Sequence, residues 1–134
     1  MGDYSNDFGF NNSGGTFTVT KSNEYSTNGE YSARVEVPSN KTGYVRYRIY
    51  DVTHLIGEQV TFQCDVKTNN PLTLEVYEYY NSRYNRTSLT IPANSEDSFS
   101  ITLTVNDSTS TILLDIASNI GNVFFTDNWS FIIQ

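Results

Sequence analysis

Apolar and polar residues alternate along most of this chain, and the alternation limits its fold more than any other feature. In 31–37 and again in 98–105, every second residue is apolar and the residues between are polar. A period of two is typical of a β-strand that packs one face against a core. Gly, Asn, Ser and Pro interrupt the pattern about every ten residues, which indicates a sandwich or a barrel.

The same pattern predicts nine strands and very little helix. Val, Ile and Thr are abundant, and their branched side chains favour strands over helices. We therefore expect an all-β fold, a two-sheet antiparallel β-sandwich (jelly roll) with a concave ligand-binding sheet, formed by one domain over residues 1–134. The predicted strands are 15–21, 31–37, 44–50, 58–67, 72–79, 86–91, 98–105, 111–117 and 122–133.

Charge and composition exclude several classes of function. The chain has 8 Lys and Arg against 15 Asp and Glu, which gives a net charge of -7. Nucleic acids and anionic membrane surfaces are therefore disfavoured as partners, because both are bound mainly through basic residues. The single cysteine, Cys64, forbids an intrachain disulfide, and the single histidine, His54, argues against hydrolytic triads and zinc sites. No apolar run approaches the length of a spanning helix.

The outward faces of the predicted strands differ from one another. Strands 31–37, 58–67 and 98–105 present Ser, Thr, Gln and scattered charges, whereas strands 44–50 and 72–79 present tyrosines beside arginine and glutamate. If successive strands cross between two sheets, the tyrosines collect on one sheet. Strands 86–91 and 111–117 add an arginine and an aspartate. The predicted binding residues are Tyr44, Arg46, Arg48, Tyr50, Glu75, Tyr77, Tyr79, Arg86 and Asp115.

These residue types suit a sugar ligand. A pyranose ring has an apolar C–H face that stacks on an aromatic ring, and a rim of hydroxyls that arginine and carboxylates hydrogen-bond. The competing interpretation is purely structural, since cross-strand Tyr–Arg pairs stabilise a sheet by roughly 0.2–1 kcal/mol without any ligand. Clustering on one predicted sheet favours the binding interpretation over the structural one.

Several short stretches carry a resemblance to a known group of proteins. They are Asn6-Asp7-Phe8-Gly9-Phe10 near the start, 27–35 with its Asn28-Gly29 turn, 57–67, and 121–131 with Asp127 in the last strand. In this order and spacing, the chain resembles the β-sandwich carbohydrate-binding modules of families 4, 16 and 22. The resemblance implies a jelly roll that binds polysaccharide, is extracellular or cell-surface, and belongs to a larger multimodular chain.

The resemblance also implies a structural calcium ion. Carried over position by position, its ligands would be Asp7, Glu24, Asn28 and Asp127, completed by backbone carbonyls. The chain departs from the family at Gly9, where the family carries a glutamate.

The function expected from the sequence is non-catalytic binding of a polysaccharide or oligosaccharide, which targets an appended glycoside hydrolase to its substrate. The alternative is an adhesion domain or a phage tail-fibre-type domain that binds a receptor. A small glycan-active enzyme that uses Glu75 and Asp115 as its carboxylate pair is the third interpretation. The alternation places Cys64 and Trp129 in the core and leaves His54 in a solvated connection.

Overall fold

A computed structural model describes residues 9–11, 18–27, 29, 31–39 and 41–134. These residues form ten strands and one 3-10 turn at Thr53–Leu55, with no α-helix among them. The described residues contain no helix long and apolar enough to span a membrane. The strands are β1 (Gly9–Asn11), β2 (Thr18–Ser22), β3 (Ser32–Val37), β4 (Gly43–Ile49), β5 (Gln59–Thr68), β6 (Leu72–Tyr80), β7 (Arg83–Ile91), β8 (Ser95–Thr104), β9 (Thr111–Ser118) and β10 (Asn122–Ile133).

The strands form two five-stranded sheets with antiparallel pairing. The front sheet has the order β1-β4-β9-β6-β7 and the back sheet has the order β2-β3-β10-β5-β8. Most successive strands from β3 to β10 cross from one sheet to the other, as expected of a jelly roll, which confirms the predicted all-β sandwich. The strands rich in outward tyrosine lie in the front sheet, and those with bland outward faces lie in the back sheet, as the sequence predicts.

The core lies between the two sheets and is built from the inward half of each alternating strand. Phe62 on β5 and Phe124 on β10 are fully buried there. Trp129 packs on the core with its ring centroid 5.1 Å from that of Phe62, so its predicted core position is confirmed. Cys64 is also fully buried, and burial raises the pKa of its thiol, which makes it an inert core residue.

The strands differ most from the sequence prediction at β1, β7 and β8, and of these β8 begins at Ser95 rather than at residue 98. Strand β1 was not predicted, because a strand of three residues is too short to show alternation. Strand β7 begins at Arg83, earlier than predicted, because only Asn81 and Ser82 separate it from β6. Both residues have positive φ (48° and 61°), the backbone twist that lets a two-residue turn join antiparallel strands.

Candidate carbohydrate-binding face

The outward surface of the front sheet collects the residues that the sequence predicts for binding. The apolar residues Leu74, Val76, Ile112 and Ile116 are buried against the back sheet, so the residues between them point outward. We call this outward surface the front face. It is formed by Tyr44, Arg46 and Arg48 of β4; Leu113, Asp115 and Ala117 of β9; Thr73, Glu75, Tyr77 and Tyr79 of β6; and Tyr84, Arg86, Ser88 and Thr90 of β7.

All nine predicted binding residues lie on or next to this face. Eight of them are strand residues of the front face, and Tyr50 follows directly after β4. The Tyr50 side chain is 75% exposed, and the guanidinium of Arg48 lies 5.6 Å from its ring centroid. The register of the strands therefore brings together residues that are distant in sequence, such as Arg46 and Asp115.

Two ion pairs occupy the centre of the front face. Arg46 donates from Nε and Nη2 to the two carboxylate oxygens of Asp115, both at 2.7 Å. Arg86 donates from Nε to Oε2 of Glu75 at 2.8 Å. Glu75 and Asp115 are themselves cross-strand neighbours in the register of β6 and β9. Each carboxylate is thus held by an arginine from the strand on its other side, and both are nearly buried.

Burial governs the protonation of this centre. Removal from water raises the pKa of the Asp115 carboxyl, and the hydrogen bonds and charge of Arg46 act against that rise. Burial, followed by a hydrogen bond to Glu75, raises the pKa of Tyr77 from its ordinary 10.0 to about 12. The Tyr77 phenol therefore keeps its proton to a higher pH than a tyrosine in water does.

Three tyrosines form a compact cluster at the turn end of the face. The ring centroid of Tyr84 lies 5.5 Å from that of Tyr77 and 5.6 Å from that of Tyr79, and the latter two are 6.2 Å apart. The two-residue turn at Asn81 and Ser82 sets Tyr79 directly opposite Tyr84. Tilted rings at these separations stabilise one another, so the cluster is an ordered aromatic surface before any ligand arrives.

A second aromatic group lies towards the opposite edge, on β4. The guanidinium of Arg46 lies 4.4 Å from the Tyr44 ring centroid and 6.0 Å from that of Tyr77. Arg46 therefore connects the aromatic groups of the two edges while it pairs with Asp115. Cation–π contacts of this kind hold both the guanidinium and the ring in place.

Six residues of the front face were absent from the predicted set, namely Thr73, Tyr84, Ser88, Thr90, Leu113 and Ala117. Tyr84 lies on the front face because the turn that precedes this residue is short. From the sequence, the Tyr84 ring could be placed only near the face. Leu113 is an outward residue of β9, yet it is only 2% exposed. The signal for Leu113 was present in the sequence, because the inward positions Ile112 and Leu114 leave it pointing outward.

The outward surface of the back sheet has a different chemistry. On β5 and β8 it carries polar side chains such as Gln63, Ser100 and Thr102, and the hydroxyls of Thr61 and Thr102 hydrogen-bond at 2.8 Å. On the central strand β10, Phe125 is an outward residue opposite Arg34 and Lys67, and its ring centroid lies 6.3 Å from that of Tyr25. No aromatic ring stands among the outward residues of β5 and β8. The part of this surface formed by β5 and β8, which we call the back face, therefore provides an internal control for the front face.

The residues predicted as calcium ligands are only partly described. Asp127 is fully buried on β10, and its carboxylate accepts hydrogen bonds from the backbone N–H of Thr27 at 3.0 Å and of Asn128 at 2.8 Å. Glu24 is exposed, while Asp7 and Asn28 lie outside the described residues. Among the residues that are described, no group of three or more acidic, Cys or His side chains has the spacing of a metal site. We therefore derive no role for calcium from this geometry, and the ion stays a prediction.

Solved structures of the same fold include carbohydrate-binding modules. The xylan-binding domain of family 22 from Paenibacillus barcinonensis has a TM-score of 0.74 at 14% identity, covering 99% of this chain and 88% of its own. The family 22 module joined to the GH10 module of a Clostridium thermocellum xylanase, solved with xylohexaose, has a TM-score of 0.70 at 15% identity, covering 94% of this chain and 26% of its own. The resemblance to carbohydrate-binding modules is confirmed at the level of the fold.

A phage protein shares the fold as well. The enzymatically active domain of bacteriophage CBA120 tailspike protein 4 has a TM-score of 0.82 at 14% identity over 96% of this chain. The chain covers only 20% of the length of that tailspike.

Comparisons of the sequence itself give one result. No match is found among curated proteins. A family model, Endotoxin_C, described as delta endotoxin, matches residues 5–116, which is most of the chain and includes the greater part of both sheets. The chain therefore belongs to the delta endotoxin family, in which it has a jelly-roll fold shared with carbohydrate-binding modules.

Proposed function

We propose that the chain binds a polysaccharide or oligosaccharide through the front face and does not itself catalyse a reaction. The observation that supports this most strongly is the contrast between the front face and the back face formed by β5 and β8. The front face combines ordered tyrosines with partly engaged arginines, whereas the back face carries mainly small polar side chains. A surface of aromatic rings and multidentate donors matches the apolar face and hydroxyl rim of a sugar.

In this proposal the side chains of the front face have different roles in binding. Tyr77, Tyr79 and Tyr84 supply the apolar platform for a sugar ring. Tyr44 and Tyr50, at the two ends of β4, each supply one further ring. Arg46 and Arg86 donate the N–H groups that their carboxylates do not use. Asp115 is only 2% exposed, and both of its oxygens are occupied, so it positions Arg46 rather than binding hydroxyls itself.

The state of the two central carboxylates supports a binding role over a catalytic one. A glycosidase needs one carboxyl protonated as general acid and the other free to attack or to activate water. Here Glu75 and Asp115 are each engaged by an arginine, and Arg46 covers both oxygens of Asp115. Neither carboxyl is arranged for those two roles.

A second candidate function uses the same face within a larger cell-surface-binding protein. Membership of the delta endotoxin family and the fold shared with a phage tailspike favour a module that recognises glycans on a target cell. The first candidate, delivery of an appended glycoside hydrolase, is favoured by the fold shared with a module joined to a xylanase. Both candidates place the protein outside the cell that makes it. A glycoside hydrolase encoded beside this domain would favour the first candidate over the second.

The experiment that tests glycan binding is a glycan array followed by calorimetry on the best ligand. We expect a dissociation constant in the micromolar to millimolar range, about -8 to -4 kcal/mol. The variant Tyr79→Ala is expected to lose about 1–2 kcal/mol of binding, because an aromatic platform is removed. The matched variant Thr102→Ala on the back face is expected to change binding by less than about 0.5 kcal/mol. Equal losses from the two variants, or no ligand on the array, would overturn the proposal.

A further inference from the structure

The front face carries a positive net charge, whereas the rest of the molecule carries a negative net charge. The chain as a whole carries a net charge of -7. The front face carries three arginines, Arg46, Arg48 and Arg86, against two carboxylates, Glu75 and Asp115, a net of +1. The other residues of the chain therefore sum to -8. Stacking of a neutral sugar on tyrosine rings does not require a cationic surface of this kind on an acidic protein.

Within the described part of the chain, the carboxylates of this face engage only some of the arginine N–H groups. Arg46 engages Asp115 through Nε and Nη2, and Arg86 engages Glu75 through Nε only. Among the described residues, no carboxylate forms an ion pair with Arg48, whose guanidinium lies near the Tyr50 ring. A guanidinium has several N–H donors and no acceptor, so the spare capacity of the face consists mainly of donors.

The register places two of these arginines at opposite ends of one row of outward residues, which runs across four neighbouring strands. Arg48 is opposite Leu113, Leu113 is opposite Tyr77, and Tyr77 is opposite Arg86. Three gaps between neighbouring strands separate Arg48 from Arg86, which is about 14 Å at the usual strand spacing. An extended ligand lying along this row would meet a cation, an apolar stretch with an aromatic ring, and a second cation.

We infer that the natural ligand is an acidic glycan, a polysaccharide whose sugars carry carboxylate or sulfate groups. This inference rests on the proposed glycan-binding function and narrows its ligand class. Anionic oxygens accept the unused arginine donors in charge-assisted, often bidentate, hydrogen bonds. The overall negative charge does not prevent this, since at physiological ionic strength charges more than about 8 Å away are largely screened.

The test uses polymers that differ in charge and share a backbone. Calorimetry would compare polygalacturonate with fully methyl-esterified polygalacturonate, and dextran sulfate with dextran, together with the neutral ligands of the array. We expect the charged member of at least one pair to bind about tenfold more tightly than its neutral partner. Preference for polygalacturonate identifies the carboxylate as the recognised group, and preference for dextran sulfate identifies the sulfate.

Matched variants locate the effect on the front face. Arg48→Gln should weaken binding of the charged polymer about fivefold, as expected for one exposed charge pair, and should weaken binding of its neutral partner by clearly less than that. Lys67→Gln removes an exposed cation from the back face and should change neither. Equal affinities within both polymer pairs, or a neutral glycan bound more tightly than any charged one, would overturn the inference and leave glycan binding intact. Failure to bind any glycan would overturn the proposed function as well.

Discussion

Glu75 and Asp115 face each other across β6 and β9, and each is neutralised by an arginine from the strand on its far side. Two carboxylates in directly opposite positions repel each other, which weakens a sheet. Arg46 on β4 and Arg86 on β7 compensate for this repulsion, so four neighbouring strands share one charge network. The centre of the proposed binding face is therefore also part of what holds the front sheet together.

The first prediction concerns the stability of that network. Arg46→Leu leaves Asp115 buried without its partner, and we expect a loss of about 3 kcal/mol in the free energy of unfolding. The double variant Arg46→Leu/Asp115→Leu should recover most of the loss, because the unpaired charge is removed. Urea denaturation measures both. Lys67→Met, which breaks an exposed pair with Glu96, is the control and should cost less than about 1 kcal/mol. A single Arg46 variant no less stable than this control would contradict the prediction.

The second prediction concerns alkaline pH. The folded protein holds the phenol proton of Tyr77 to a pKa of about 12, raised by burial and then by Glu75, whereas in the unfolded chain it leaves near 10.0. The contribution of this group is fully present below about pH 10 and is lost as the pH rises towards 12. Urea denaturation between about pH 9 and pH 11 should therefore show falling stability, with a shallower fall in Tyr77→Phe. An equally steep fall in Tyr77→Phe would contradict the prediction.

The third prediction concerns Glu78, an inward residue of β6 that is 6% exposed. Its Oε2 accepts hydrogen bonds from the backbone N–H of Asn106 at 2.9 Å and the hydroxyl of Thr109 at 3.1 Å. Glu78→Ala leaves these donors of the β8–β9 turn unpaired, so we expect a loss of about 1–3 kcal/mol. Amide hydrogen exchange at residues 106–109 should accelerate with it. Ser108→Ala in the same turn should change neither quantity, and an unchanged exchange rate in Glu78→Ala would contradict the assigned role.

The fourth prediction concerns calcium, and it rests on the family resemblance. If Asp127 is a ligand, millimolar calcium added to chelator-treated protein should raise the melting temperature by mass action. Asp127→Asn keeps the shape of the side chain and should abolish that increment while sugar binding persists. Glu24→Gln tests the exposed member of the predicted set in the same way. An unchanged melting temperature on adding calcium to the wild-type protein would exclude the site.

The fold was predictable because the alternation is strong and its two faces are chemically different. The inward pattern of β5, from Val60 to Val66, and the outward tyrosines of β6 are sufficient to assign these two strands to opposite sheets. Eight predicted binding residues could be placed on one sheet face by counting alone. Tyr84 could not, because its position depends on the two-residue turn before it, and a longer turn would have changed the register.

Burial that depends on contacts distant in sequence was not predictable. Asp65 is an outward residue of β5 and was expected at the surface, yet it is only 6% exposed. It accepts hydrogen bonds from the hydroxyls of Thr27 and Ser98, which come from a loop far along the chain and from β8. A local period of two fixes which face a residue occupies, but it carries no information about a distant loop that covers that face.

The antiparallel register of the front sheet has a consequence for the ligand specificity that we propose for it. The inward residues hold the strands in place. The backbone positions of the outward residues are therefore fixed, and their side chains can be substituted one at a time. Ser88 and Thr90 are exposed, contribute nothing to the core, and stand beside the ion-paired centre. Under the proposed function, substitutions at such positions would redirect recognition without threatening folding, so that new specificities could evolve on an unchanged scaffold.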